Sequence, residues 1–226
     1  SGTNAGTYTA TASGTDTNYN LTFVDGALTI NPASVLVTTI TGALQGTVSK
    51  VYDGTNNATL SAANYALTGW VGSDGATVTK TSGSYDTANA GSGKTVTVSL
   101  SSADYAASGN TNLNNYTLPT SISGAVGNIS KAPLMVIASN DSKTYDGTTA
   151  AALASGAMTA TGVTVDGVTE TATVSKASGT YNNKNVSGAT TVSTSLAASD
   201  FTSGTANLSN YNLPTTVTGI GSISKA

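Results

Sequence analysis

One segment of this chain occurs twice, and the landmarks that follow it return in the same order. Residues 49–55 read SKVYDGT and residues 142–148 read SKTYDGT. SGSYD at 82–86 returns as SGTYN at 178–182, and NLNNYTLPTSISG at 112–124 returns as NLSNYNLPTTVTG at 207–219. Each copy closes on ISKA, at 129–132 and at 223–226. Ordered matches at a spacing of about 100 residues mark a duplicated domain, whereas a threonine-rich solenoid would repeat about every 20 residues.

The full copies run over 34–132 and 133–226. Residues 1–33 match only the later part of a copy: Asn4-Ala5-Gly6 aligns with Asn89-Ala90-Gly91, and Asn18-Tyr19-Asn20-Leu21 with Asn115-Tyr116-Thr117-Leu118. This segment reads as the C-terminal remnant of a preceding repeat. Two or three strands do not stand alone, so it is expected to pack on the next domain or on a neighbouring chain. No flexible linker separates the copies. Ile129-Ser130-Lys131-Ala132 passes directly into Pro133-Leu134-Met135-Val136, and proline stiffens that junction. Stiff, end-to-end stacking is expected, with neighbouring repeats of the same chain as partners.

Within each copy the pattern is that of strands. Only 8% of residues are charged while 38% are hydrophobic, so the polarity comes from Thr, Ser, Asn and Gly. Val96, Val98 and Leu100 alternate with polar neighbours, as do Val192, Thr194 and Leu196, and Tyr19, Leu21 and Phe23 do the same in the N-terminal segment. Such alternation is the mark of a half-buried strand. Asp25-Gly26, Asp53-Gly54, Asp74-Gly75, Asp146-Gly147 and Asp166-Gly167 are turn signals. Short helical turns are expected at 102–105 and 198–201, but no segment offers an amphipathic helix. Asn4-Ala5-Gly6-Thr7-Tyr8 resembles the tyrosine corner of immunoglobulin-like sandwiches. The expected fold is all-β: tandem β-sandwich, immunoglobulin-like domains arranged end to end, each satisfying its hydrophobic faces internally.

Charge and composition narrow the function. A net charge of −3 with no Arg and scattered Lys provides no basic stripe for nucleic acid. Apolar runs such as 134–138 are too short to insert in a membrane. No signal peptide opens the sequence, the pattern expected of an interior stretch of a longer chain. There is no Cys, hence no disulfide, and no His, so the commonest general base and the strongest nucleophile are both missing. Glu170 is the only Glu, and most Asp stand at turns. No catalytic residue is expected.

The repeated Tyr52-Asp53-Gly54-Thr55 and Tyr145-Asp146-Gly147-Thr148 are the candidate motif. Read structurally, each Tyr buries its ring at a strand end, Asp and Gly make the turn, and Thr starts the next element. Read functionally, the Tyr ring and Asp acceptor form an exposed carbohydrate contact. No cofactor is expected; calcium is the alternative, with Asp53, Asn56 and Asn57 close in sequence but without the spaced acidic loop of a calcium hand. Lys50 and Lys143 occupy matching places, as do Lys80 and Lys176. Lysines so placed face solvent or, in a cysteine-free stalk, form isopeptide bonds to Asn or Asp. Trp70, the sole Trp, stands among glycines and has no counterpart in the second copy.

The duplicated YDGT motif with its Asn-Tyr and Ile-Ser-Lys-Ala landmarks resembles the YDG repeat domain of large bacterial exoproteins. Residues 5–33 are similar to the end of the related MBG-type repeat. The resemblance implies arrays within filamentous-haemagglutinin-like adhesins, hence secretion to the bacterial cell surface and a stalk that holds an adhesive region away from the cell. The alternative is a repeated binding module that recognises a glycan or a protein through its loops.

Overall fold

Alternating burial along the strands shows how each copy builds its layers. In the computed structural model, which describes residues 6–30, 37–154, 156 and 158–226, Gly91–Ser99 buries Lys94, Val96 and Val98 and exposes the residues between them. Successive side chains of a strand point to opposite faces, so one face of this strand lies on the core. The chain is all-β. Its helical content among the described residues is five short 3₁₀ turns, including Ser102–Asp104 and Ala198–Asp200, where the sequence places helical turns.

In the first copy (repeat 1) a five-stranded sheet runs in the order Val48–Val51, Ser121–Ser130, Gly91–Ser99, Ser82–Tyr85, Asn57–Thr59. The first pair is parallel and the others antiparallel. Repeat 2 has the same sheet: Asp141–Thr144, Thr216–Ser224, Thr191–Ser195, Ser178–Tyr181, Ala150–Ala152. Against it lies a second layer, Met135–Ala138, Met158–Val165, Val168–Val174 and Phe201–Ser203. In repeat 1 this layer consists of the antiparallel pairs Thr41–Leu44 with Tyr65–Thr68 and Ala76–Val78 with Tyr105–Ala107. Asp166 and Gly167 both take positive φ, 50° and 81°, the tight hairpin geometry that Asp-Gly favours.

Three expectations are revised by this architecture. The apolar faces are not closed within each copy: one buried cluster contains Val48, Tyr52, Val96 and Ile129 of repeat 1 together with Met158, Phe201, Tyr211 and Val217 of repeat 2. The N-terminal segment forms a hairpin of Gly6–Ala10 with Gly26–Ile30, and Tyr19–Phe23 is not a strand. Tyr19, Leu21, Phe23, Val24 and Leu28 are all exposed, so these side chains are not buried against the following repeat. Among the described residues the two strands of this ribbon pair only with each other, and a lone two-stranded hairpin builds no core for such side chains to enter. Asn4 and Ala5 of the proposed tyrosine corner lie outside the described residues.

Candidate functional site

The repeated YDGT loops share one local geometry. Each follows a sheet strand that pairs in parallel with the copy's last strand, and the first backbone bond of the loop continues that ladder: Tyr52 N–H donates to Ser130 O at 2.8 Å and Tyr145 N–H to Ser224 O at 2.9 Å. The Asp side chain then closes a turn on its own backbone. Asp53 Oδ1 accepts from the Thr55 N–H and hydroxyl, both at 2.9 Å, and Asp146 Oδ1 accepts from Thr148 in the same way. Gly54 and Gly147 both sit at φ +77°, where a side chain is disfavoured.

A lysine two residues before each Tyr holds the loop from beneath. Lys50 Nζ donates to Asp53 Oδ1 at 2.7 Å, Thr55 O at 2.7 Å and Thr55 Oγ1 at 2.9 Å. Lys143 Nζ reaches Asp146 Oδ1, both Thr148 oxygens and Ala150 O. The ammonium groups also lie over the Tyr85 and Tyr181 rings, at 5.6 and 5.4 Å from the centroids. These lysines, expected to face solvent, have side chains only 17% exposed. The signal was present in the sequence, since Ser-Lys precedes both motifs. Lys80 and Lys176 likewise pair with Asp104 and Asp200.

This arrangement shifts the acids. Asp146 is held down to about 2, by the Lys143 hydrogen bond first and then by the Thr148 N–H and hydroxyl. At Asp53 burial pushes upward, but the bonds from Lys50 and Thr55 outweigh it and the carboxyl lies below its ordinary value. Asp53, named with Asn56 and Asn57 as a calcium candidate, thus already faces an ammonium. Among the described residues no three His, Cys, Asp or Glu gather where they could hold a metal.

The two copies part company at the tyrosines. Tyr52 is 6% exposed and Tyr145 is 42% exposed, so only the first buries its ring. The cause is the neighbouring repeat. Tyr52 meets Tyr211 edge-on, with centroids 5.5 Å apart, and its hydroxyl donates to Glu170 Oε1 at 2.8 Å. Tyr211 donates to the other oxygen, Glu170 Oε2, at 2.6 Å. Both phenols are pushed above their ordinary value by burial first, with Glu170 adding to the shift. Beside them Asn210, 1% exposed, accepts from the Ala90 N–H at 2.9 Å and donates to Asn89 Oδ1 at 3.0 Å. A Cβ on Gly54 would run into Val165. The sole Glu of the chain is therefore the centre of a polar lock between repeats, a role that residue type alone did not signal.

Two other candidates take different places. Trp70 is half-buried and packs edge-on to Tyr116, with centroids 4.8 Å apart. Matching shallow grooves lie on the sheets of both repeats, lined by Lys80, Gly83 and Thr97 in one and by Lys176, Gly179 and Ser193 in the other. Their linings are Ser, Thr, Gly and Lys, with no aromatic ring.

Compared with known families, the chain matches the YDG domain over residues 31–124 and again over 130–219. No curated protein and no solved structure matches it.

Proposed function

The chain belongs to the YDG domain family, and from that premise we propose that it is a structural spacer, a run of repeats in the stalk of a secreted or surface-bound bacterial adhesin. The observation that carries this reading is the lock of Tyr52, Glu170, Tyr211 and Asn210. It joins the copies through a half-buried carboxylate that satisfies two buried tyrosines, a buried Asn210, and a shared apolar cluster. Repeats joined in this way extend by addition, each contacting only its neighbours. The bacterial surface and the adhesive parent protein follow from the resemblance to adhesin repeats. We read the chain as non-catalytic, because it has no His or Cys and its one Glu is taken up by two tyrosines.

Small-angle scattering tests the spacer. The maximum dimension should be that of two repeats held in line, and the dimension of one compact globule would overturn it. The duplicated Lys-Ser-Gly-Thr groove favours a second reading, a repeated glycan-binding face. Glycan-array binding that is lost on Lys176→Ala would support it over the spacer.

A further inference from the structure

The joint between the repeats is made of two complementary faces; the first has an open twin in repeat 2, and the second has a counterpart in repeat 1 whose tyrosine is covered by Trp70. On one side stand Tyr52, Asn89 and Ala90. In the register of the duplication their counterparts are Tyr145, Asn185 and Val186, which line an open hollow together with Lys225 and Ala226. The loops have the same conformation, but a Cβ at Gly147 would meet nothing within 4 Å, whereas at Gly54 Val165 is in the way. On the other side stand Glu170, Asn210 and Tyr211. Their counterparts in repeat 1 are Asp74, Asn115 and Tyr116, and Tyr116 donates to Asp74 Oδ2 at 2.6 Å just as Tyr211 donates to Glu170. Asn115 is exposed where Asn210 is buried.

We propose that the open face around Tyr145 docks a further YDG repeat, entering through the face that carries its Tyr–carboxylate pair. The fitting occupant is a second copy of repeat 2. Its Glu170 takes the Tyr145 hydroxyl, its Tyr211 ring meets the Tyr145 ring, and its Asn210 bonds the backbone at Val186. Three features support this occupant. The geometry continues an interface already present in the chain. The phenol needs an acceptor once buried, and a carboxylate at that place supplies one. The loop is also pre-organised: the four bonds from Lys143 hold the undocked loop in the conformation of the docked one, so little ordering entropy is lost on docking. The inference rests on the spacer reading in one respect, that repeats are added in line.

The test lengthens the full chain by a second copy of residues 133–226, carrying Tyr145→Phe so that its peptide is distinct in mass, placed directly after Ala226, so that the new Ala-Pro junction repeats Ala132-Pro133. Nitration of each tyrosine with tetranitromethane is followed by mass spectrometry. In the chain as it stands, Tyr145 should react as an exposed ring and Tyr52 should be protected. In the lengthened chain, Tyr145 should slow about tenfold or more, corresponding to about 1.4 kcal/mol of docking free energy. Glu170→Ala with Asn210→Ala in the added copy should restore its rate. Equal rates for Tyr145 in the two chains would overturn the proposal, as would protection that survives the double substitution. A second measurement needs no added copy: Glu170→Ala with Asn210→Ala in the chain itself should raise Tyr52 to the rate of Tyr145, and a Tyr52 that stays protected sinks the idea. Scattering from the lengthened chain reports the spacer separately, because protected tyrosines with a compact outline would reject the stalk and keep the docking.

Discussion

Tyr52 and Tyr145 occupy the same place in a duplicated sequence, yet their hydroxyls differ in what they meet. Tyr52 donates to a carboxylate at 2.8 Å, a charge-assisted bond worth about 1.5–3 kcal/mol. Tyr52→Phe keeps the ring contact with Tyr211 and deletes that bond, so it should destabilise the chain by that amount in chemical denaturation. Tyr145→Phe touches an exposed ring and should stay within about 0.5 kcal/mol of the parent, the range of ordinary surface substitutions. Equal losses for the two variants would mean that the joint does not stabilise the fold. Glu170→Ala leaves two phenols without their acceptor and is expected to cost more than Tyr52→Phe, about 2–5 kcal/mol. A double-mutant cycle between Tyr52→Phe and Glu170→Gln isolates their coupling.

At the scale of the element, the YDGT turn is a carboxylate held by a lysine and its own backbone. Asp146 titrates at about 2 in the folded protein, below its unfolded value near 4. A depressed carboxyl adds stability above the unfolded value and loses it as the pH falls through the folded one. The turn's contribution should therefore be present at pH 7 and fade between about pH 4 and pH 2. Thermal melts should show Asp146→Asn below the parent at pH 7, with the gap closing at the acid end. A constant gap would contradict the lysine clamp. Another element, the Gly6–Ala10 and Gly26–Ile30 hairpin, lies outside the buried clusters, with Leu28 exposed and Tyr8 and Ile30 only half-buried. Its amides should exchange far faster than those of Gly91–Ser99, as expected where few apolar contacts protect the backbone.

Elements such as these also show where the sequence is informative. Val96, Val98 and Leu100 were legible as a buried face because the period of a strand is local. The Asp-Gly turns at 53–54, 146–147 and 166–167 were legible because backbone geometry selects the residue type. Asp74-Gly75 shows the limit: Gly75 takes no positive φ, and Asp74 instead binds the Tyr116 hydroxyl. Lys50 and Lys143 read as solvated because a lone Lys usually is, and only the fold brings three or four oxygens around each. The different fates of Tyr52 and Tyr145 were not legible at all. Their local sequences match, and what separates them is a carboxylate 118 residues away from Tyr52, placed by the neighbouring repeat.

For the whole molecule, the continuous cluster has a thermodynamic consequence. Stability in a repeat array is a sum of the repeats' own stabilities and the interface terms between neighbours. Here the interface includes two tyrosine rings, Ala132 and Leu134, within the same buried cluster as Ile129 and Met158. Such coupling should make repeats 1 and 2 unfold together, in one calorimetric transition whose measured and van't Hoff enthalpies agree. Tyr52→Ala removes the ring that bridges the joint and should cost about 3–5 kcal/mol, all of it at the interface term. That loss should split the single transition into two, one for each repeat, while the sheets themselves keep their strand signal in circular dichroism. If the parent already melts in two steps, the interface does not couple the repeats and the stiffness assigned to the joint has no energetic source; if Tyr52→Ala lowers a single transition without dividing it, the coupling does not depend on the Tyr52 ring.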